Sequence, residues 1–297
     1  MKPARDRLLE TRFPGTDGEL VLSLFLEDYS AVYPGMIRYT VCLMSGTEPR
    51  AVIRTNTYEY PPRVPTKAET VAREWFDLWK RELTLDPSVF LLNHEKIQKR
   101  TIPPSAADVV IIEGSPRADG NCSILTEWMV QAARARGKRT FVIYPQDMDI
   151  NPCIGCYQCY NTGTCTFADD MTGIIDAIRG CEVLVVCSPV YTNTVPGLLK
   201  VLIDRCQAYH AERLLSGGPS GQKGLLLAVA GRTGQENFAC VKNVVLPFMR
   251  NLGIEPSGEC LFDGTDILRD LRSGAGFREQ VLAAAERAIN DAKITRN

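Results

Sequence analysis

The sequence lacks a surplus of charge of either sign. Its 34 Lys and Arg face 35 Asp and Glu over 297 residues, a formal net charge of -1, so no global field draws the chain to nucleic acid or to an anionic membrane. It also lacks any run of about 18 apolar residues that would span a bilayer. The opening MKPARDRLLETRFPG has no continuous apolar stretch of the signal-peptide kind, so the expectation is a cytosolic protein without membrane insertion. Histidine is scarce: His94 and His210 are the two present, far apart and outside any ligand-like pattern, and both are expected to be packed or at the surface. Neither the P-loop pattern GxxxxGK[ST] nor the dinucleotide pattern GxGxxG occurs, and no Ser/His/acid constellation emerges, which sets aside ATPase, classical dinucleotide and triad-hydrolase chemistry. With 45% hydrophobic, 23% charged and 8% aromatic residues, the composition is that of a globular protein with a real core.

Cysteine, by contrast, is plentiful, with eleven copies. Cys153, Cys156, Cys159 and Cys165 sit close together, while Cys42, Cys122, Cys181, Cys187, Cys206, Cys240 and Cys260 are scattered singly, mostly in apolar segments where a thiol acts as a small hydrophobe. That distribution suits a reducing compartment better than a secreted disulfide framework.

Two textures divide the chain. Residues 18–29, 36–44 and 51–60 are rich in Val, Ile, Tyr and Thr between turn-like segments and predict a small antiparallel sheet, broken by Pro61, Pro62 and Pro65. Residues 66–83 then predict a helix with Val71, Trp75, Leu78 and Trp79 as its apolar stripe. Residues 86–100 are ambiguous and 101–106 read as a linker, giving an α+β unit over residues 1–104 with no catalytic motif. From residue 105 to 297, strands and helices alternate at crossover spacing. Strands are predicted at 107–114, 138–144, 181–190, 224–231 and 258–264. Between and after them come helices beginning near Ile124, after Asp169 and Asp170, and over 194–210, 237–253 and 275–293. Such a three-layer sheet places its ligand crevice beyond the C-terminal strand ends, so the loops starting at Ser115, Cys153, Ser188 and Gly231 are the functional candidates.

The loop at 114–123, GSPRADGNCS, offers small residues and helix N-terminal amides for an anion. Ser115, Pro116, Arg117, Asn121, Cys122 and Ser123 are its candidate contacts, and an ordinary Ser/Gly/Asn turn is the alternative. In the loop at 188–197, Pro189 and Pro196 restrict the backbone while Val190, Tyr191, Thr192 and Asn193 offer an aromatic wall and polar atoms for a flat ring. After the fourth strand, Ala230, Gly231, Gly234, Gln235 and Glu236 supply close-approach glycines and edge hydrogen bonds. Asp169 and Asp170 are expected to cap the following helix. Arg117 is a candidate phosphate contact, and Arg205 a support for a dimer or ring region; an ordinary salt bridge explains either equally well.

The segments GSPRADGN, PCIGCYQC with the later Cys and DDM, CSPVYTNTVPGLLKVLIDR and the TGQE stretch resemble the flavodoxin-like NAD(P)H-dependent FMN reductase superfamily, and within it the iron-sulfur flavoproteins. The resemblance organises residues 107–264 and leaves 1–104 outside. It implies a flavodoxin-like five-stranded parallel sheet of order 2-1-3-4-5. It also implies FMN with its phosphate at residues 115–123 and its ring between loops 188–193 and 230–236. One departure is Cys122, where the family usually has Thr or Ser.

The four clustered cysteines follow the spacing C-x2-C-x2-C-x5-C. Short spacings let a turning backbone aim several thiolates at one centre, and Gly163 helps the chain return with the fourth. Consecutive x2 spacings resemble cubane ligation more than zinc knuckles, with zinc, a redox disulfide or inert thiols as alternatives. The resemblance favours [4Fe-4S], with Tyr157, Tyr160 and Phe167 as shielding or simple packing. It further implies a homodimer or homotetramer and a ferredoxin-like donor, so that electrons pass through cluster and FMN to an unidentified acceptor and no side chain is itself catalytic. An NAD(P)H-dependent FMN or quinone reductase and a redox-sensing interaction protein are the alternatives.

Overall fold

The computed structural model describes residues 4–15, 18–60, 64–94, 107–117 and 120–295. Pro61 and Pro62, the 101–106 linker and the expected boundary at 104 lie outside those residues. The chain divides into two compact units. One comprises Met1–Arg100 with Gly155–Thr166, the other Thr101–Ile154 with Phe167–Asn297. The four-cysteine loop, assigned from sequence to the C-terminal domain, is therefore divided: Cys156, Cys159 and Cys165 go with the N-terminal unit.

The first unit is an antiparallel sheet of order β1-β2-β3-β4 with helices on one face. Its strands are β1 (Ala4–Gly15), β2 (Gly18–Asp28), β3 (Ile37–Ser45) and β4 (Glu48–Asn56), followed by α1 (Ala68–Leu85) and α2 (Pro87–His94). Strand β1 is not apparent from the sequence because charged residues interrupt its apolar ones. Those charges pair along the exposed surface, Arg7 with Glu10 and Arg12 with Glu10 and Glu19, and charge along an edge strand discourages pairing with another chain. Period-two alternation sends Leu20, Leu22 and Leu24 of β2 and Tyr39, Val41 and Leu43 of β3 to the helix side, where they pack with Phe76, Trp79, Leu83 and Phe90. The buried face of α1 is Ala68, Ala72, Phe76, Trp79 and Leu83. This corrects the expected stripe: small alanines admit the sheet closely, Trp79 is 3% exposed, and Trp75 turns outward at 38%. His94 packs against Trp79 and stacks on Phe90.

The second unit holds β5 (Val109–Glu113), α3 (Asn121–Ala135) and β6 (Thr140–Ile143). The cysteine segment follows, with the single turn α4 (Cys159–Thr162) that belongs to the first unit. The chain then continues through α5 (Met171–Gly180), β7 (Val183–Pro189), α6 (Gly197–Arg205), α7 (Gln207–Ser216), β8 (Lys223–Val229), α8 (Ala239–Asn251), β9 (Glu255–Phe262), α9 (Thr265–Leu268) and α10 (Phe277–Asp291). The parallel sheet runs β6-β5-β7-β8-β9, the flavodoxin-like order 2-1-3-4-5. The helix expected over 194–210 is two, broken at Cys206. The turn α9 was not foreseen. Val109, Ile111, Val183, Val185, Leu225 and Leu227 face a core shared with Leu125, Trp128 and Met129 of α3 and Val281, Ala284 and Ala288 of α10. Apolar runs buried on both faces mark parallel strands. Among the described residues no helix is long and apolar enough to cross a membrane.

The two tryptophans of α1 test its orientation. Trp79→Ala should lower stability by about 3–5 kcal/mol, and Trp75→Ala by less than about 1 kcal/mol, in urea unfolding followed by far-UV circular dichroism. Equal losses would show that the helix buries a different face.

Candidate functional site

A crevice of about 460 Å³ opens in the second unit beyond the C-terminal ends of β5, β7, β8 and β9. It is lined by Ser115, Arg117, Gly120, Asn121 and Cys122 from the first loop and by Pro189, Val190, Tyr191, Thr192 and Asn193 from the loop after β7. Val229, Ala230, Gly231, Arg232 and Asn237 join from β8 and the segment after it, and Thr265 and Asp266 from α9. Strand order reverses at β5 and β7, where helices leave in opposite directions and a gap is left. Backbone geometry at the rim is unusual: Thr192 and Asn193 both have positive φ, 45° and 64°. A reciprocal pair of main-chain bonds between Tyr191 and Thr194, 2.8 and 2.9 Å, holds them there. Non-glycine residues in the left-handed region persist only where the surroundings over-determine them.

Several expected contacts are turned to other uses. The Ser123 hydroxyl donates to Glu113 Oε1 at 2.7 Å. Neither Ser123 nor Pro116 lines the crevice. Asn121, at the rim, spends its amide on the backbone of Arg269 and Leu271. Gln235 donates to Asp263 at 3.0 Å, the Glu236 carboxylate lies over Gly234, and these three residues of the fourth loop stay outside the lining. Asp266 was missed although its carboxylate sits directly over Gly231, leaving no room for a side chain there. The signal was available in principle: Thr265 and Asp266 follow β9, and the loop after the last strand borders the same edge as the others.

The base of the cysteine segment is fixed within the second unit by a buried ion pair. Arg205 donates to both carboxylate oxygens of Asp169, at 2.6 and 2.9 Å, with side-chain exposures of 1% and 2%. Arg205 also donates to the Asn151 carbonyl, and Asp169 accepts from the Asn151 backbone N–H at 3.0 Å. Asn151 precedes the cysteines and Asp169 follows them, so one pair closes both ends of the loop, with Phe167 against the guanidinium. The expected cap is present as well: Asp169 accepts from Met171 N at 3.2 Å, while Asp170 accepts from Asp149 N at 2.8 Å. Burial by itself would raise the Asp169 carboxyl, but the Arg205 and Asn151 bonds outweigh it and hold it down at about 2.

Within the first unit, the sheet face opposite the helices receives α4. Cross-strand neighbours Glu27 and Arg38 pair at 2.8 Å, and Thr40 donates to the same carboxylate. Arg38 and Arg54 then donate to the carbonyls of Tyr160 and Asn161, each at 3.2 Å. Asn161 is buried, accepts from Asn56 at 2.7 Å and donates to Glu59. Tyr160 stacks edge-on with Tyr33 and Tyr58. Gly155, Tyr157 and Gly163 have positive φ and turn the segment sharply.

Cys153 and Cys156 are exposed, Cys159 and Cys165 half-buried, and none of the described cysteines forms a disulfide. Elsewhere burial pushes the thiols of Cys181 and Cys206 up to about 12 and that of Cys260 to about 11, which keeps them protonated and inert. Among the described residues no three His, Cys, Asp or Glu side chains gather as a metal centre. The loop thus carries four thiols, two exposed and two half-buried, of the soft-donor kind.

The Asp169 carboxylate stabilises the fold fully above its ordinary value near 3.8, and that contribution disappears as pH falls through about 2. Urea midpoints measured from pH 5 to pH 2 should show this loss in the native chain. Asp169→Asn should be weaker by about 3–5 kcal/mol at pH 7 and should lack the acid-dependent component.

The NADPH-dependent FMN reductase family matches residues 107–252. An iron-sulfur flavoprotein of Methanocaldococcus jannaschii is 37% identical over 97 residues, covering 33% of this chain and 50% of that protein. Another, from Archaeoglobus fulgidus, is 28% identical over 151 residues, covering 50% of this chain and 75% of that protein. The crystal structure of RosB with bound 8-demethyl-8-formylriboflavin-5'-phosphate superposes with a TM-score of 0.50 at 15% identity, over 63% of this chain and 79% of RosB, a likeness of fold. The chain spans about half the length of the first curated relatives it matches. Over residues 107–252 the chain is thus similar to the NADPH-dependent FMN reductase family, and over part of its length to iron-sulfur flavoproteins.

Proposed function

We propose that the chain is an FMN-dependent oxidoreductase that carries electrons from a low-potential donor such as ferredoxin, through a [4Fe-4S] cluster and FMN, to an acceptor. The observation that carries this is the pairing, in one chain, of a crevice at the sheet's switch point with a loop of four accessible cysteines. The crevice fits a flavin. Ser115, Gly120 and the N-terminal amides of α3 would hold its phosphate, with Arg117 at the rim. Tyr191 would face the ring, and Thr192, Asn193 and Asp266, which line the same crevice, would be its polar contacts. FMN bound there supplies the conversion between one-electron and two-electron transfer. The protein's part is to exclude water with Val190 and Tyr191 and to hold polar partners at fixed positions. Cys153, Cys156, Cys159 and Cys165 are the donors assigned to the cluster, on their chemistry and accessibility. A homodimer or homotetramer is the assembly the resemblance favours.

The family's description, an NADPH-dependent FMN reductase, favours a second reading in which NADPH reduces the flavin directly. Anaerobic stopped-flow absorbance separates the two: rapid bleaching of bound FMN by reduced ferredoxin, with NADPH slow, supports electron transfer, and the reverse supports the reductase.

Anaerobically purified protein should contain about four iron and four acid-labile sulfide per chain together with FMN. Cys156→Ala should lose most of the iron, sulfide and cluster absorbance while retaining flavin. Undiminished iron and sulfide in that variant would remove Cys156 from the ligand set.

A further inference from the structure

Glu113 ends the central strand β5 immediately before the first loop of the crevice, and it is 1% exposed. Its Oε1 accepts the Ser123 hydroxyl at 2.7 Å. Its Oε2 is buried without a hydrogen-bond partner. Among the described residues, the groups that face the carboxyl are uncharged. Cys187 of β7 stands beside it in register, Cys122, Ser123 and Thr126 come from α3, and Tyr144 comes from the end of β6. The nearby loop residue Arg117 is exposed and offers Ser123 its carbonyl rather than its guanidinium. A carboxylate buried among neutral hydroxyls, with no cation beside it among the described residues, is strongly disfavoured, whereas the protonated acid is not. Burial accordingly pushes the Glu113 carboxyl above the ordinary range, opposed by the Ser123 and Thr126 hydroxyls.

The position of this group matters because Ser123 lies in the first turn of α3, whose amides face the crevice. We propose that Glu113 is a positioning residue for the phosphate end of the crevice. Kept neutral, it anchors the first turn of α3 through Ser123; once ionised, it sets a negative charge beneath the phosphate ester and weakens its hold. The inference rests on the flavin reading above, with the phosphate at residues 115–123. Linkage fixes the sign: a bound phosphate disfavours ionisation of Glu113, so affinity falls as pH rises through that ionisation. The phosphate's own second ionisation, near pH 6, acts in the opposite direction by strengthening contacts to the amides. Riboflavin has no phosphate and serves as the control.

The test is flavin fluorescence titration of the flavin-stripped full-length chain with FMN and with riboflavin from pH 5.5 to 9. It is run on the native sequence, Glu113→Gln and Ser123→Ala. Native protein should lose about tenfold in FMN affinity as pH rises, the equivalent of one pKa unit of coupling, with no such trend for riboflavin. Glu113→Gln should show no loss of FMN affinity as pH rises, and Ser123→Ala should weaken FMN binding at low pH. A Glu113→Gln protein that binds FMN with the native pH trend, or a riboflavin trend equal to that of FMN, overturns the role of Glu113 while leaving the flavin reading intact. Failure of the native chain to bind FMN at any pH overturns both. If Glu113→Gln does not fold, judged by circular dichroism, the native trends decide: an FMN affinity that falls with pH while that of riboflavin does not supports the proposal, and parallel trends or a rising FMN affinity overturn it.

Discussion

The buried pair of Arg205 and Asp169 is the constraint on which the base of the cysteine segment depends. Two side chains almost wholly removed from water are tolerated because each is multiply hydrogen-bonded: the carboxylate by Arg205, Asn151 and Met171, the guanidinium by Asp169 and the Asn151 carbonyl. Since these partners come from both sides of the cysteines and from the end of α6, the loop leaves the second unit through a closed base. Its sharp turns at Gly155, Tyr157 and Gly163 therefore begin from defined points rather than from a wandering chain.

A different chemistry holds the tip. There the sheet of the first unit offers two arginines to main-chain carbonyls and a buried asparagine to Asn56 and Glu59. Burial raises the Glu59 carboxyl, while the bonds it receives from Thr55, Asn56 and Asn161 pull it the other way. The result is a segment whose backbone is tied at both levels while its sulfur atoms are left accessible. The remaining buried thiols, by contrast, are ordinary core atoms with proton affinities raised by burial.

Much of this was legible in the sequence, and the reasons for the exceptions are physical. Strands β5, β7 and β8 declare themselves because burial on both faces demands unbroken apolar runs, while their order was implied by the flavodoxin-like resemblance. Strand β1 hides because an edge strand is free to carry Arg and Glu on its open face. The face of α1 was misread by giving weight to the large Trp75, when close approach of the sheet selects Ala68 and Ala72 and turns Phe76 inward. The crevice loops after β5 and β7 were recognisable by composition. Asp266, Ser123 and the Asn161 cluster were not, because their roles depend on partners remote in sequence or on which of two neighbours a hydroxyl meets. A list of small and polar residues identifies the rim of a pocket without saying which of its members face away.

The division of the chain also bears on how it folds. The bonds that seat Tyr160 and Asn161 on the N-terminal sheet join residues separated by 102 to 122 positions. Closing so long a loop costs little more than closing one half its length, about 0.6 kcal/mol for each doubling, but such contacts form late. During synthesis the first sheet and its helices are complete in sequence well before the segment that covers their polar face has left the ribosome. Until then the groups of Arg38, Arg54 and Asn56 that bond Tyr160 and Asn161 have water as their partner. Seating of the cysteine segment is thus a late event in the maturation of a unit whose apolar side is already packed.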